Sequence, residues 1–489
     1  MEREKFGSRL GFILVSAGCA IGIGNVWKFP YMCGQFGGAA FILVYLLFLL
    51  VMGIPILVCE FSVGRHSQLG ISAAFDKMEQ EGTKWHRLKW FGIFGNYLLM
   101  MFYTTVAGWM LNYCYKSIKG DFVGVTPDEV TGAFNDMLGS ASTMAFWTVL
   151  VCIVGFAVCA MGIKGGIERA SKFMMTALLL IMVALAVRSV FLDGAAAGVK
   201  FYLVPDFAKI AEVGFGNMIF GAMSQAFFTL SIGIGSMHIF GSYIGKDRSL
   251  TGEAITITAL DTTVALLAGF IIIPSCFAFG VEPGAGPSLI FITIPNIFSQ
   301  MAGGQIFGAF FFLFLTFAAF TTVVAVFENI MSFNMDMLGW SRKKTAWVCA
   351  SLLIVLSMPC VLGFNVISGI QLIGEGSSIL DFEDFIVSNN LLPLGSLGYV
   401  LYCTRNNGWK WDNFMKEANT GKGIKFPEVI RPYMTYVLPI VIVAIYLKGY
   451  YDMFSGKGTT MFVCWMAVAF ALLGFVIMTA LGKPKKENK

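Results

Sequence analysis

The sequence predicts an all-α integral membrane protein of about twelve spanning helices, and three observations carry that prediction. Hydrophobic residues make up 57% of the chain and charged residues only 13%, a balance that excludes a soluble globular protein. Apolar runs near the ~20 residues needed to cross a bilayer recur from end to end. In two of those runs, glycines fall where a spanning helix should be most regular. The runs lie at 10–34, 38–64, 90–114, 143–163, 170–192, 217–243, 254–280, 305–332, 346–364, 378–404, 433–449 and 459–482.

Span one holds Ser16-Ala-Gly-Cys-Ala-Ile-Gly-Ile-Gly-Asn25 inside an apolar stretch from Leu10 to Tyr31. Its apolar run is too long for a cleavable signal peptide. Glycine costs a helix interior roughly 1 kcal/mol relative to alanine, so Gly18, Gly22 and Gly24 together predict a break at mid-depth. Backbone groups freed inside hydrocarbon need other partners, and a bound ion or a polar solute would supply them. Glycine-lined packing against a neighbouring helix is the competing explanation.

Orientation follows from Lys and Arg. With Met1 in the cytoplasm, most of the 34 basic residues fall on the inner side, so both termini are expected inside a cell inner (plasma) membrane. The formal charge of +5 then reflects topology and not a nucleic-acid partner. Eleven scattered cysteines, with no C-x-x-C pair, suggest neither a disulfide framework nor a zinc site. They read as small buried hydrophobes.

Between the spans, 65–89 is a polar inner loop with an amphipathic piece at Ser72–Met78. Residues 115–142 and 193–216 are expected as outer loops. Three prolines make Val281–Gly304 too broken to span, and it is expected as an outer hairpin or lid. Residues 405–432 form the longest inner loop.

Span six repeats the pattern of span one, in Phe227-Phe-Thr-Leu-Ser-Ile-Gly-Ile-Gly-Ser236. Five crossings separate the two, an odd number, so the blocks they open must have opposite orientations in the membrane. Paired broken helices at corresponding places in two halves are the sequence sign of a transporter's binding site. One domain, 1–489, then divides into repeat one (about 10–192), repeat two (about 217–404) and peripheral helices (about 433–482).

Ionisable groups at mid-membrane are costly, about 2.5–3.5 kcal/mol for an isolated Asp. Asp261 lies well inside span seven, where an adjacent cation would compensate it. Glu60 in span two is placed to accept N–H groups freed by a helix break, and Glu328 lies toward the inner end of span eight. Span eight also carries Ala318-Ala-Phe-Thr-Thr322. Such threonines often bond back to the preceding turn. Two hydroxyls beside a free carbonyl are also hard oxygen ligands suited to Na⁺.

These segments resemble the neurotransmitter:sodium symporters, in particular their bacterial amino-acid branch, over nearly the whole chain. The resemblance rests on Arg9-Leu-Gly-Phe-Ile-Leu with Gly-Asn-Val-Trp-Lys-Phe-Pro-Tyr31, Gly-Ile-Pro-Ile with Glu60, and Gly64-Arg65. Phe102-Tyr103, Gln225-Ala-Phe-Phe-Thr-Leu-Ser231 and Asp336-Met-Leu-Gly-Trp-Ser-Arg342 extend it. It implies a LeuT-type fold of two inverted five-helix repeats, with helices 1 and 6 broken, plus two peripheral helices. It also implies a sodium-coupled symporter and not an enzyme.

Carried over by resemblance, sodium site one uses Ala20, Asn25, Thr229 and Asp261, with the substrate carboxylate as a further ligand. Site two uses Gly18, Ile21, Ala318, Thr321 and Thr322. The substrate carboxylate meets the N–H groups of Ile23 and Gly24, where a helix dipole favours an anion, and the Tyr103 hydroxyl. Its ammonium faces Ala20, Phe228, Thr229 and Ser231, and its side chain meets Cys19, Leu99, Tyr103, Phe228, Ile234, Thr322 and Val326. Monoamine transporters carry Asp where Gly22 stands, so the substrate here is expected to bring its own carboxylate. A neutral, hydrophobic L-amino acid is the expected cargo.

The family's chloride neighbourhood maps onto Tyr45, Gln225 and Thr229, and Asp261 occupies a position commonly Asn. Fixed charge would then replace chloride, leaving two Na⁺ as the coupling ions. The implied outer gate pairs Lys28 with Asp384 beneath a lid of Tyr103 and Phe228. Lysine stands where most members have arginine and lacks the bidentate fork. The inner gate pairs Arg3 with Asp336, near Tyr243. A non-transporting amino-acid sensor of the same fold is the alternative. The sequence does not set the oligomeric state.

Overall fold

The computed structural model describes residues 4–205, 207–281 and 287–485. All regular structure among them is helical. Among the described residues, nine helical stretches are long and apolar enough to cross a membrane, from Ala39–Ser67 to Thr459–Ala480. A tenth is the pair Arg9–Ala20 and Gly24–Gln35, bent by 60° at the break. The remaining two places in the order belong to the interrupted pair Phe215–Thr229 and Ser236–Ser242, and to the run formed by Ile379–Ile386, Val387–Leu391 and Leu392–Thr404. The chain is a multi-pass membrane protein.

Both glycine-marked breaks are present. In span one the helix stops at Ala20 and Ile21 turns extended, its N–H still bonded to the Ala17 carbonyl at 2.7 Å. In span six the helix stops at Thr229, and Ser231 and Gly233 take positive φ values of 49° and 104°. Gly233 is required twice over, because a Cβ there would also strike the Leu392 carbonyl.

Span eight (Gly304–Leu338) is the central post, packed along Lys89–Lys119 and against spans one, four and five. Of its most apolar window 78% is buried, against 17% for Thr459–Ala480, so span twelve faces lipid. Spans ten, eleven and twelve pack as a group at the edge.

The connections are more ordered than expected. Residues 193–216 contain two short helices, Ala195–Leu203 and Phe207–Val213, the first held by the Tyr202 hydroxyl donating to the Leu266 carbonyl at 3.0 Å. Small residues (Ala195, Gly198) let that helix lie close on span seven, which loop-like composition concealed. Residues 115–142 include Pro127–Gly139, started by a Thr126/Glu129 capping box. Within 281–304, Leu289–Thr293 and Ile294–Gln300 pack inward, and Phe291 lies against Trp109, Tyr113 and Phe134. The amphipathic piece of the first inner loop is the helix Ile71–Met78. Ten of the eleven cysteines are buried, and all are free thiols.

Candidate functional site

Two polar clusters lie against the break in span one. In the first, the Asn25 amide donates to the Asp261 carboxylate at 2.8 Å and to the Thr229 hydroxyl at 3.0 Å. Thr229 in turn donates to Asp261 at 2.9 Å. The Asn25 carbonyl oxygen accepts the Gly22 N–H at 3.1 Å, so one side chain fastens the break to spans six and seven. Tyr45 and Gln225 are also buried here: Gln225 donates to the Gly24 carbonyl at 3.2 Å, and the Tyr45 hydroxyl has no partner among the described residues.

The second cluster joins the break to span eight. The Thr322 hydroxyl lies 3.1 Å from the carbonyls of both Gly18 and Ile21, and 3.3 Å from that of Ala318. Thr321 donates to the same Ala318 carbonyl at 2.9 Å. Five oxygens therefore share two hydroxyl protons. Such an excess of hard oxygen acceptors suits a small alkali or alkaline-earth cation and not a soft metal.

Between the clusters lies a cavity of about 150 Å³. Cys19, Ala20, Ile23, Gly24, Leu99, Tyr103, Phe228, Thr229, Ser231 and Thr322, all singled out from the sequence, line it. Ile234 and Val326 do not. Both are fully buried: Ile234 packs at Gly95 and its carbonyl accepts from Asn96, while Val326 sits in the core of span eight. Span ten supplies Leu380, Val387 and Leu392, and span three adds Phe102 and Val106, none of which the sequence singled out for the pocket. Their helical spacing gave no signal separating pocket-facing from core-facing apolar residues. Gly22 also lines the cavity, and a Cβ on it would come within 2.5 Å of the Tyr103 hydroxyl.

Of the expected gate groups, Lys28, Asp384, Tyr103 and Phe228 share the cavity. The Lys28 ammonium sits 4.2 Å from the centre of the Phe228 ring, a cation–π contact. Among the described residues it makes no ion pair with Asp384, which accepts instead from Ser388 at 2.7 Å. The Tyr103 hydroxyl accepts the Ile23 N–H at 3.3 Å.

On the face carrying the N-terminus, Glu328 forms a bidentate pair with Arg342 at 2.6 and 2.9 Å and accepts from Tyr243 at 2.7 Å. Arg342 also donates to Glu4 at 3.1 Å. Asp336 accepts the Gly70 N–H at 2.7 Å, and Arg3 lies outside the described residues. Glu60 accepts the N–H of Gly233, freed by the break in span six. The ligand atoms of Asp76, Glu79 and His86 lie within 4.8 Å of one another in the first inner loop, with Lys89 bonded to Asp76 and His86 to Glu79.

Two crossings unwound midway, meeting around a cavity between oxygen-rich clusters, define the site of a membrane transporter. The Sodium:neurotransmitter symporter family profile matches residues 3–126 and 133–482. An uncharacterized sodium-dependent transporter of Haemophilus influenzae is 33% identical over 92% of this chain and 98% of its own. The sodium-dependent transporter YhdH of Bacillus subtilis, also uncharacterized, is 33% identical over 91% and 97%. Among solved structures, MhsT in complex with L-phenylalanine superposes with a TM-score of 0.82 at 35% identity, covering 91% of this chain and 100% of that one. The chain belongs to the sodium:neurotransmitter symporter family. It has the LeuT fold, two inverted five-helix repeats with two peripheral helices, and it is a sodium-coupled transporter and not an enzyme.

Proposed function

We propose that this protein imports a neutral, hydrophobic L-amino acid together with two Na⁺ ions by alternating access, without chloride. The observation that carries the reading is the pair of clusters around one break: Asn25, Thr229 and Asp261 on one side, and Gly18, Ile21, Ala318, Thr321 and Thr322 on the other. Each cluster is the natural seat of one ion, with Ala20 completing the first. The cavity wall is apolar where Leu99, Phe102, Val106, Leu380, Val387 and Leu392 stand, which suits a neutral side chain. About 150 Å³ is the size of a pocket that holds benzene. MhsT, a solved relative, was crystallised in complex with L-phenylalanine.

In this reading the substrate carboxylate takes the Ile23 and Gly24 N–H groups and the Tyr103 hydroxyl, and bridges to the ion at Asp261. Neither substrate nor ion then binds well alone, which is the coupling. Lys28, Asp384 and the Tyr103–Phe228 lid close the outer route. Tyr243 and Asp336 lie on the inner one, with both termini in the cytoplasm. Repeat one covers about 10–192 and repeat two about 217–404. Each Na⁺ gains ~1.4 kcal/mol from a tenfold gradient and ~2.3 kcal/mol from 100 mV. Two ions supply roughly 7 kcal/mol, an ideal limit of about 10⁵-fold accumulation.

Labelled amino-acid uptake into proteoliposomes tests this. Uptake driven by sodium and abolished by potassium supports it, and equal uptake in both sinks it. Counterflow separates a transporter from a sensor. Chloride is tested by replacing it with gluconate: rates are expected to match because the Asp261 carboxylate provides the negative charge, and a large loss would remove that part of the proposal.

A further inference from the structure

A second cavity, of about 600 Å³, lies far from the transport site, where spans ten, eleven and twelve end on the face carrying the N-terminus. Its wall within the spans is apolar: Leu397, Leu401, Ile440, Val443 and Ile477. Ile440 is 69% exposed, so the cleft opens sideways toward the bilayer. At the span ends the lining changes to Arg405, Asn407 and Lys483.

The backbone beside each of the two cations is held in place, and neither charge is neutralised. Asn407 donates to the carbonyls of Ala480 and Gly482 at 2.7 and 2.6 Å, and the Lys485 N–H donates to Glu81 at 2.7 Å. Lys483 is thereby pinned between two anchors at the mouth of the cleft. The Arg405 backbone is fixed by its N–H on the Leu401 carbonyl at 2.9 Å. Among the described residues neither Arg405 nor Lys483 makes a side-chain hydrogen bond or ion pair.

We propose that this cleft is a binding site for one anionic phospholipid, its phosphate between Arg405 and Lys483 and an acyl chain along Leu397, Leu401, Ile440 and Val443. The layout matches the ligand in order and sign: charge at the membrane surface, apolar wall immediately beneath it. Zwitterionic lipid carries a compensating cation that the two basic groups repel.

Native mass spectrometry of the detergent-solubilised full chain, titrated with phosphatidylglycerol and with phosphatidylcholine, tests the assignment. One phosphatidylglycerol is expected to bind in preference to phosphatidylcholine by about tenfold or more, since each basic residue near the surface contributes measurably to anionic-lipid binding. In Arg405→Gln/Lys483→Gln the preference is expected to fall to near one, while Lys343→Gln/Lys344→Gln, on the same face but away from the cleft, keeps it. Leu401→Trp, which fills the apolar wall, is expected to weaken both lipids. Each Gln single variant gives a partial loss that reads the same way if the double variant does not fold. Equal binding of the two lipids by the wild type overturns the proposal. So does a preference that survives the double variant, or inorganic phosphate that binds as well as phosphatidylglycerol when titrated alone. A second copy of the chain occupying the cleft, seen as a dimer that Leu401→Trp dissociates, also overturns it.

Discussion

Thr322 is one hydroxyl facing three carbonyls, and this arithmetic makes it the sharpest residue to change. Thr322→Val keeps the shape and removes the oxygen. Leaving buried polar groups without a partner costs ~1–3 kcal/mol, so sodium affinity, read from the Na⁺ dependence of uptake, is expected to fall about tenfold or more with little change in fold. Gly22 makes the complementary case. Its missing side chain is the space beneath the Tyr103 hydroxyl and beside Thr322, 3.2 Å from where a Cβ would stand. Gly22→Asp would put a fixed carboxylate where the substrate's own belongs. The amino-acid-induced thermal shift should disappear while the shift caused by sodium persists. Both residues were legible in the sequence, because a glycine triplet weakens a helix at one depth and two adjacent hydroxyls beside a free carbonyl are hard oxygen ligands. Leu380, Val387 and Leu392 were not, since an apolar side chain facing a cavity looks the same in sequence as one facing its neighbour.

At the scale of elements, the sequence marked what was chemically odd and missed what was geometrically subtle. Both broken crossings were readable because glycine weakens a helix locally. Glu60 was readable as an acceptor for freed N–H groups because a buried carboxylate needs donors, and Gly233 provides one. The wide turns at Leu49–Gly53, Val387–Leu391 and Tyr433–Val437 were not predicted, although each runs into a proline two residues on (Pro55, Pro393, Pro439) whose missing N–H loosens the turn before it; Ile163–Glu168 has no such mark. The pairing of Glu328 was missed as well. Arg342 is 14 residues on, beyond a turn, and only the fold swings it back. This pair joins spans eight and nine with Tyr243 of span six. Arg342→Gln leaves a buried carboxylate without its cation, a change that costs about 3–5 kcal/mol. The melting temperature is expected to drop by several degrees, with part of the loss recovered on adding Glu328→Gln.

At the scale of the whole molecule, the helix Trp411–Ala418 is tied to span two by Arg65, which donates to Glu417 at 2.7 Å and to the Arg248 carbonyl at 2.7 Å. Burial pushes the Glu417 carboxyl up, but the hydrogen bond from His66 and the charges of Arg65 and Lys246 outweigh it and hold the group at about 2. A depressed carboxylate stabilises the fold above its ordinary value of about 4.3, and that contribution is lost as pH falls through the folded value. The protection factor across 411–418, meaning hydrogen exchange corrected for its intrinsic pH dependence, is therefore expected to hold from pH 7 to 5. It should fall as acid drives the group from its ordinary range toward pH 2.

The bidentate clasp of Glu328 and Arg342 also fixes an order of events. Its carboxylate is fully shielded, and Tyr243, Cys159 and Glu4 are drawn in around the guanidinium or its partner. Parting the pair would strand the buried carboxylate, whereas Arg342 is already 16% exposed. In the alternating-access reading proposed above, water reaching the carboxylate along the guanidinium is therefore expected to precede any separation of spans eight and nine.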